Sequence, residues 1–168
     1  TRKGTEFRTI QEVLFKTQSD LEKLSKNKGE ITGVQTGFFK LDKITSGLKP
    51  HELIIVAARP GMGKTAFALN LATNMAIAGK TVALFNMEMP AEQLAMRMLS
   101  SAGQIKQNKI KNGYLEHDDW KRINEAISRL AETKIFIDDT AGMTIAEIKA
   151  KCRRLASQKD GLALIVID

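Results

Sequence analysis

Leu53-Ile54-Ile55-Val56-Ala57-Ala58-Arg59-Pro60-Gly61-Met62-Gly63-Lys64-Thr65 is the stretch on which the reading of this chain turns. Leu53 to Val56 is apolar without polar alternation, the pattern of a strand covered on both faces. Gly61 and Gly63 allow a tight turn whose backbone N–H groups face inward as an anion nest. A helix opening at Lys64 would aim the positive end of its dipole at the same point. Lys64 adds a flexible charge for β- and γ-phosphates, and the Thr65 hydroxyl is placed to bind Mg²⁺. The strict pattern G-x-x-x-x-G-K-[ST] is missed by one residue, because Ala58 stands where the first glycine belongs. The flanks compensate: an apolar strand before, and after it a helix with Phe67, Leu69, Leu71, Met75 and Ile77 that ends at Gly79. Arg59, Pro60, Gly61, Met62, Gly63, Lys64, Thr65 and Ala66 form the candidate nucleotide-binding set.

Composition sets the outer bounds. At 168 residues the chain holds one domain with an appendage, or part of a larger domain. A hydrophobic content of 43% is enough for a core, and no apolar run approaches the ~18 residues of a membrane span. Thr1 to Glu6 carry no apolar signal region. The single cysteine, Cys152, excludes an internal disulfide and suits a reducing cytosol. A net charge of +7 is compatible with a polyanion partner without requiring one.

Outward from the turn, residues 7–25 read as an amphipathic helix. Phe7, Ile10, Leu14, Thr17, Leu21 and Leu24 alternate at spacings of three and four, a narrow seam suited to docking on this domain or on a neighbouring subunit. Residues 1–29 thus form a linker-helix segment and 30–168 the main domain. Phe38, Phe39 and Leu41 offer anchors among the turns at Gly33, Gly37 and Gly47, with a helical turn near Phe39 to Ile44. His51 reads as a surface residue rather than a ligand.

Thr81 to Phe85 reads as a second buried strand, ending in Asn86-Met87-Glu88-Met89-Pro90. A carboxylate just past a parallel strand lies on the edge where ligands bind, so Glu88 is a candidate to orient the water that attacks a γ-phosphate. Position alone leaves open that it caps the next helix, residues 90–101. Arg97 on that helix is placed to reach a phosphate, to pair with Glu88, or to sit on the surface. Residues 105–114 suggest a short basic helix ending at Gly113. Asp118 and Asp119 open another helix, whose face Trp120, Ile123, Ile127 and Leu130 reads as core. Lys134 to Asp139 is a third strand closing on two carboxylates. Thr144-x-x-Glu147 is a capping box ahead of the buried stripe Ile145, Ile148, Cys152 and Leu155. Leu162 to Asp168 is a fourth buried strand ending in a carboxylate, the place where P-loop NTPases hold the Mg²⁺ water shell near the Thr of the phosphate cradle. Four strands alternating with helices argue for a parallel α/β sheet with right-handed crossovers.

Thr36-Gly37-Phe38 with Leu41-Asp42, Ala57 to Thr65, Met87-Glu88-Met89 and Ile165-Val166-Ile167-Asp168 together resemble the ATPase domain of bacterial replicative DNA helicases of the DnaB type. Alanine at the place of Ala58 is common in that family. The resemblance implies a RecA-like P-loop fold, ATP and Mg²⁺ as cofactors, Glu88 and Lys64 as catalytic residues, and Thr65 and Asp168 on the metal. It implies a cytoplasmic homohexameric ring on single-stranded DNA, joined through the linker helix, with primase and a helicase loader as partners. A primase-facing domain is then expected before Thr1. An arginine finger, DNA-contacting loops and the strand between Leu53–Val56 and the Asp168 strand are expected after Asp168. The alternatives are a RecA-like recombinase, a regulatory ATPase, or a binding module for a loader or neighbouring subunit.

Overall fold

The computed structural model describes residues 7–168, so Thr1 to Glu6 lie outside the described residues. Helix α1 (Ile10–Lys26) starts at a capping box. The Thr9 hydroxyl accepts from the Glu12 N–H at 3.3 Å, and the Glu12 carboxylate accepts from the Thr9 N–H at 3.2 Å. Phe7, read as part of the seam, therefore precedes the helix. The seam itself is present but uncovered: Ile10, Leu14, Leu21 and Leu24 are exposed, and α1 has no buried residue.

Between α1 and the glycine turn the chain makes a clip on the main domain. Val34 and Leu48 form an antiparallel bridge that encloses α2 (Phe39–Thr45). The buried Asp42 carboxylate accepts from the Thr36 N–H and hydroxyl, both at 2.8 Å. Phe38 stacks on Phe67 with ring centroids 5.1 Å apart, and Asn74 donates to the Thr36 carbonyl at 3.1 Å. Gly37 is needed here twice over: its φ is +82°, and a Cβ would lie 2.4 Å from the Asn74 amide nitrogen. Phe39, expected as an anchor, points to solvent, because Phe38 takes the inward place at the start of α2.

Leu53 to Val56 departs most from the expected structure. The segment belongs to no strand, and Leu53 is 88% exposed. Among the described residues three strands form the sheet instead of four. A groove of about 240 Å³ lies between Leu53, Ile54 and Val56 on one wall and Leu164 to Asp168 on the other. Without a hydrogen-bonded neighbour, an apolar run has no ladder to join, whatever its side chains prefer.

Helix α3 (Lys64–Ile77) follows the turn as expected, and Gly79 follows its last turn with φ +86°. The sheet then builds around β1 (Val82–Phe85), whose four residues are all buried. After it come α4 (Ala91–Ala102), α5 (Gln107–Asn112), α6 (His117–Ala131), β2 (Ile135–Asp138), α7 (Ile145–Ala156) and β3 (Leu164–Ile167). The order is β2-β1-β3, with both pairs parallel. Phe85 stands opposite Asp138 and Ile167, so the three carboxyl ends lie in register.

One sheet face is thickly covered. Leu69, Ala72 and Met75 of α3 and Leu94 and Met98 of α4 pack with Val82 and Leu84, and Leu130 of α6 joins them. On the other face α7 supplies Ile148, Cys152 and Leu155 against Ala83 and Phe85. That single helix leaves Phe136, Ile165 and Ile167 exposed, so β2 and β3 are half-covered rather than buried. Ile145, assigned to the α7 stripe, is exposed at the first turn.

Trp120 is 53% exposed and is not the expected core anchor. On α6 the inward positions are Asp119, Ile123 and Ala126, one helical face. Asp119 holds its place because Lys109 donates at 2.9 Å and Arg122 at 2.7 Å. With Asp119 turned inward, Trp120 falls on the flank.

Candidate functional site

The turn before α3 has the geometry its glycines suggested. Gly61 and Gly63 sit at φ +77° and +90°, and the Met62 N–H donates to the Arg59 carbonyl at 3.2 Å. An added Cβ would meet nothing within 4 Å at either glycine, so backbone sign, not space, demands them. Gly63 is the N-cap of α3 and supplies no side chain, and the first turn carries no acidic residue. The opening N–H groups and the dipole end are therefore left for an external anion. Arg59, Pro60, Gly61, Met62 and Gly63 are exposed around it, while Lys64, Thr65 and Ala66 are half-buried.

Lys64 and Thr65 converge on the end of β3. Lys64 Nζ lies 2.7 Å from Asp168 Oδ1, and the Thr65 hydroxyl donates to Asp168 Oδ2 at 2.7 Å. The Asp168 side chain is 7% exposed and that of Lys64 40%. Burial pushes the Asp168 carboxyl up, but hydrogen bonds from Lys64, Thr65 and Asn86, with the charge of Lys64, hold it below the usual carboxylate range. The hydrogen bond and charge of Asp168 raise Lys64 against a smaller opposing effect of burial, and Glu88 adds to the rise. The Thr65 contact spans 103 residues of sequence.

Glu88 stands beside that point, exposed, on the loop that leaves β1. The loop is fastened by Asn86, whose Oδ1 accepts from the Glu88 and Met89 N–H groups at 2.9 and 2.7 Å. Asn86 Nδ2 donates to Asp168 Oδ2 at 3.2 Å, and the Met87 N–H donates to the Asp168 carbonyl at 3.2 Å. Sequence reasoning passed over Asn86. Its signal was an amide closing an apolar strand two residues before a carboxylate, the spacing of an Asx turn.

Capping of α4 falls elsewhere: Asp139 Oδ2 accepts from the Ala91 N–H at 2.9 Å. Its neighbour Asp138 accepts from Lys151 and Thr140, which together bring its carboxyl down to about 2 against a smaller effect of burial. Both carboxylates at the end of β2 are thus engaged within the fold. No ion pair joins Arg97 to Glu88 among the described residues. Arg97 instead lines a small cavity with Ala66, Asn70 and Ser101. No three His, Cys, Asp or Glu side chains gather as a metal site among the described residues. A divalent ion here would rest on a hydroxyl, one carboxylate, water and substrate oxygens, the habit of Mg²⁺.

Residues 33–168 match the family model described as the DnaB-like helicase C terminal domain. The chain belongs to that family. It is 48% identical to the replicative DNA helicase DnaC of Bacillus subtilis over 99% of this chain and 37% of that protein. It is 47% identical to the replicative DNA helicase DnaB of Geobacillus stearothermophilus over 96% of this chain and 36% of that protein. The chain thus spans little more than a third of these relatives. Among solved structures, an ATPase domain aligns with a TM-score of 0.87 at 34% identity, over 97% of this chain and 57% of that one. A DnaB-like replicative helicase solved for its interactions with primase aligns with a TM-score of 0.85 at 34% identity, over 97% of this chain and 39% of that one. The parallel sheet between helices is the RecA-like α/β fold of these helicase domains.

Proposed function

We propose that this chain is the ATP-binding and hydrolysing part of a replicative DNA helicase, a ring hexamer that moves on single-stranded DNA and parts the duplex. The observation that carries the reading is the meeting of Lys64, Thr65 and Asp168 within 2.7 Å at the mouth of an uncapped helix. The main domain is taken as residues 30–168, with 1–29 as the linker-helix segment.

In this reading the backbone from Arg59 to Ala66 wraps the ATP phosphates, and Lys64 turns from Asp168 to the β- and γ-oxygens. Thr65 and Asp168 would hold Mg²⁺, which would supply charge neutralisation on the phosphates. Glu88 orients the attacking water and accepts its proton at a side-chain oxygen. Its exposure on a loop anchored at both ends suits that task.

Helix α1 supports the ring. A 17-residue helix with no buried residue is marginal alone in water, so its apolar seam calls for a partner surface. A neighbouring copy is the proposed partner, with single-stranded DNA, primase and a helicase loader as further ones, in the cytoplasm. No helix among the described residues is long and apolar enough to cross a membrane.

The test is Lys64→Ala in the full-length protein, assayed for ATP turnover and for unwinding of a forked duplex. Both activities are expected to vanish while the parent shows both. Turnover at the parent rate in Lys64→Ala would refute the site, and turnover without unwinding in the parent would refute the helicase reading.

A further inference from the structure

Asn86 is 1% exposed, and both ends of its amide are committed. Its nitrogen faces the Asp168 carboxylate at 3.2 Å, and its oxygen faces the Glu88 and Met89 N–H groups at 2.9 and 2.7 Å. The orientation is forced. A flipped amide would set an NH₂ against two N–H donors and a carbonyl against a carboxylate. The backbone below is equally held, since the Asn86 N–H donates to the Asp138 carbonyl at 3.0 Å. Among the described residues Asn86 alone has a side chain hydrogen-bonded both to the Asp168 carboxylate and to the Glu88 backbone.

From this we propose that Asn86 is a positioning residue that couples the Asp168 carboxylate to the loop bearing Glu88. The inference rests on the nucleotide-site reading above. When Lys64 and Thr65 turn toward phosphate and metal, Asp168 gives up two of its three side-chain donors. The Asn86 amide is the donor that stays. It holds the carboxylate at a set angle and, through its oxygen, holds Glu88 at a set distance from the same point. A displacement of about 1 Å at such a place can cost on the order of 100-fold in rate while leaving phosphate binding intact.

Two variants of the full-length protein, assayed with Mg²⁺-ATP, separate this role from a plain turn. Asn86→Ala removes donor and acceptor. Asn86→Asp keeps the acceptor for both N–H groups and replaces the donor toward Asp168 with a second carboxylate. Both are expected to lower kcat at least about 10-fold with KM for ATP within about threefold of the parent, the signature of lost transition-state positioning. Asn86→Ala is also expected to raise the Mg²⁺ concentration needed for half-maximal turnover.

Parent kcat in Asn86→Ala, or in Asn86→Asp in spite of its added charge, shows that Asn86 only closes a turn, and that result overturns the proposal. So does a rise in KM at unchanged kcat in Asn86→Ala. Circular dichroism reports folding, and if Asn86→Ala fails to fold, Asn86→Asp decides. Lys64→Ala run in parallel keeps the two failures apart. Parent-like Asn86 variants beside an inactive Lys64→Ala overturn this inference alone, whereas an active Lys64→Ala overturns both readings.

Discussion

Replacing Asp168 with asparagine removes one charge from the point where three side chains meet, and its cost can be built from the contacts. Oδ1 takes Lys64 at 2.7 Å, and Oδ2 takes Thr65 at 2.7 Å and Asn86 at 3.2 Å. An asparagine there has one oxygen and one NH₂. The Thr65 hydroxyl can rotate to accept from it, but the Asn86 amide cannot, because its oxygen is held by two N–H groups. The new oxygen must therefore face Asn86, which leaves the NH₂ against the Lys64 ammonium. One charge-assisted hydrogen bond is lost, worth about 1.5–3 kcal/mol where buried. Lys64 is 40% exposed, so solvent screening brings the loss toward the low end, about 1–2 kcal/mol. At roughly 2–4 °C per kcal/mol for a domain of this size, Tm should fall by about 2–8 °C near neutral pH. The folded carboxyl of Asp168 lies below its ordinary value, so its stabilisation is complete above the unfolded value and fades as pH falls through the folded one. The gap between parent and Asp168→Asn should accordingly be widest at neutral pH and close on acidification below about 4. The assay is thermal unfolding of the transition that Mg²⁺-ATP shifts in the parent, where saturation at about 100 Kd adds about 2.7 kcal/mol. Asp168→Asn should lose most of that Mg²⁺-dependent shift. Equal melting at pH 7, with an undiminished response to Mg²⁺-ATP, would refute the reasoning.

Three further outcomes follow from other parts of the structure. Glu88→Ala should leave ATP binding near the parent value and lower turnover by about 10²–10⁴-fold, read by single-turnover hydrolysis beside equilibrium binding. Parent-rate hydrolysis would remove Glu88 from its role. If the proposed ring forms through the exposed seam of α1, Leu14→Glu combined with Leu21→Glu should give smaller species by sedimentation than the parent, with Tm of this domain unchanged. An intact ring would show that the seam faces something else. On α6, Ile123→Ala should cost about 2–4 kcal/mol by denaturant unfolding, because Ile123 is buried. Trp120→Ala, at the exposed flank, should cost under about 1 kcal/mol, and a reversal of that order would put the tryptophan back in the core.

What could be read from residues alone divides along the range of the interaction. The glycine turn, α3, the Thr144 capping box and the short helix before Gly113 are set within a few residues of chain, and each stands where expected. The convergence of Lys64 and Thr65 with Asp168 was also legible, though its parts are 103 residues apart, because each motif carried its own meaning. Trp120 was misplaced because the inward place on α6 is decided by Lys109, which arrives from another helix to pair with Asp119. Periodicity ranks faces by apolarity and cannot see that pair. The exposed halves of β2 and β3 have the same origin, since an apolar strand states what it would bury and not how many helices cover it.

Leu53 to Val56 carries that argument to its limit. Its residues are as apolar as those of β1, yet β1 is wholly buried and this run is exposed. Burial of β1 comes from strands on both sides and helices on both faces, none of which is encoded in its own four residues. The turn immediately after Leu53 to Val56 keeps its glycine geometry and is followed directly by its helix. Its shape is local, fixed by two positive φ angles and the start of α3. Its proposed function is not local, because that reading needs Asp168 opposite Lys64 and Thr65, and Asp168 is placed by the register of β3 on β1.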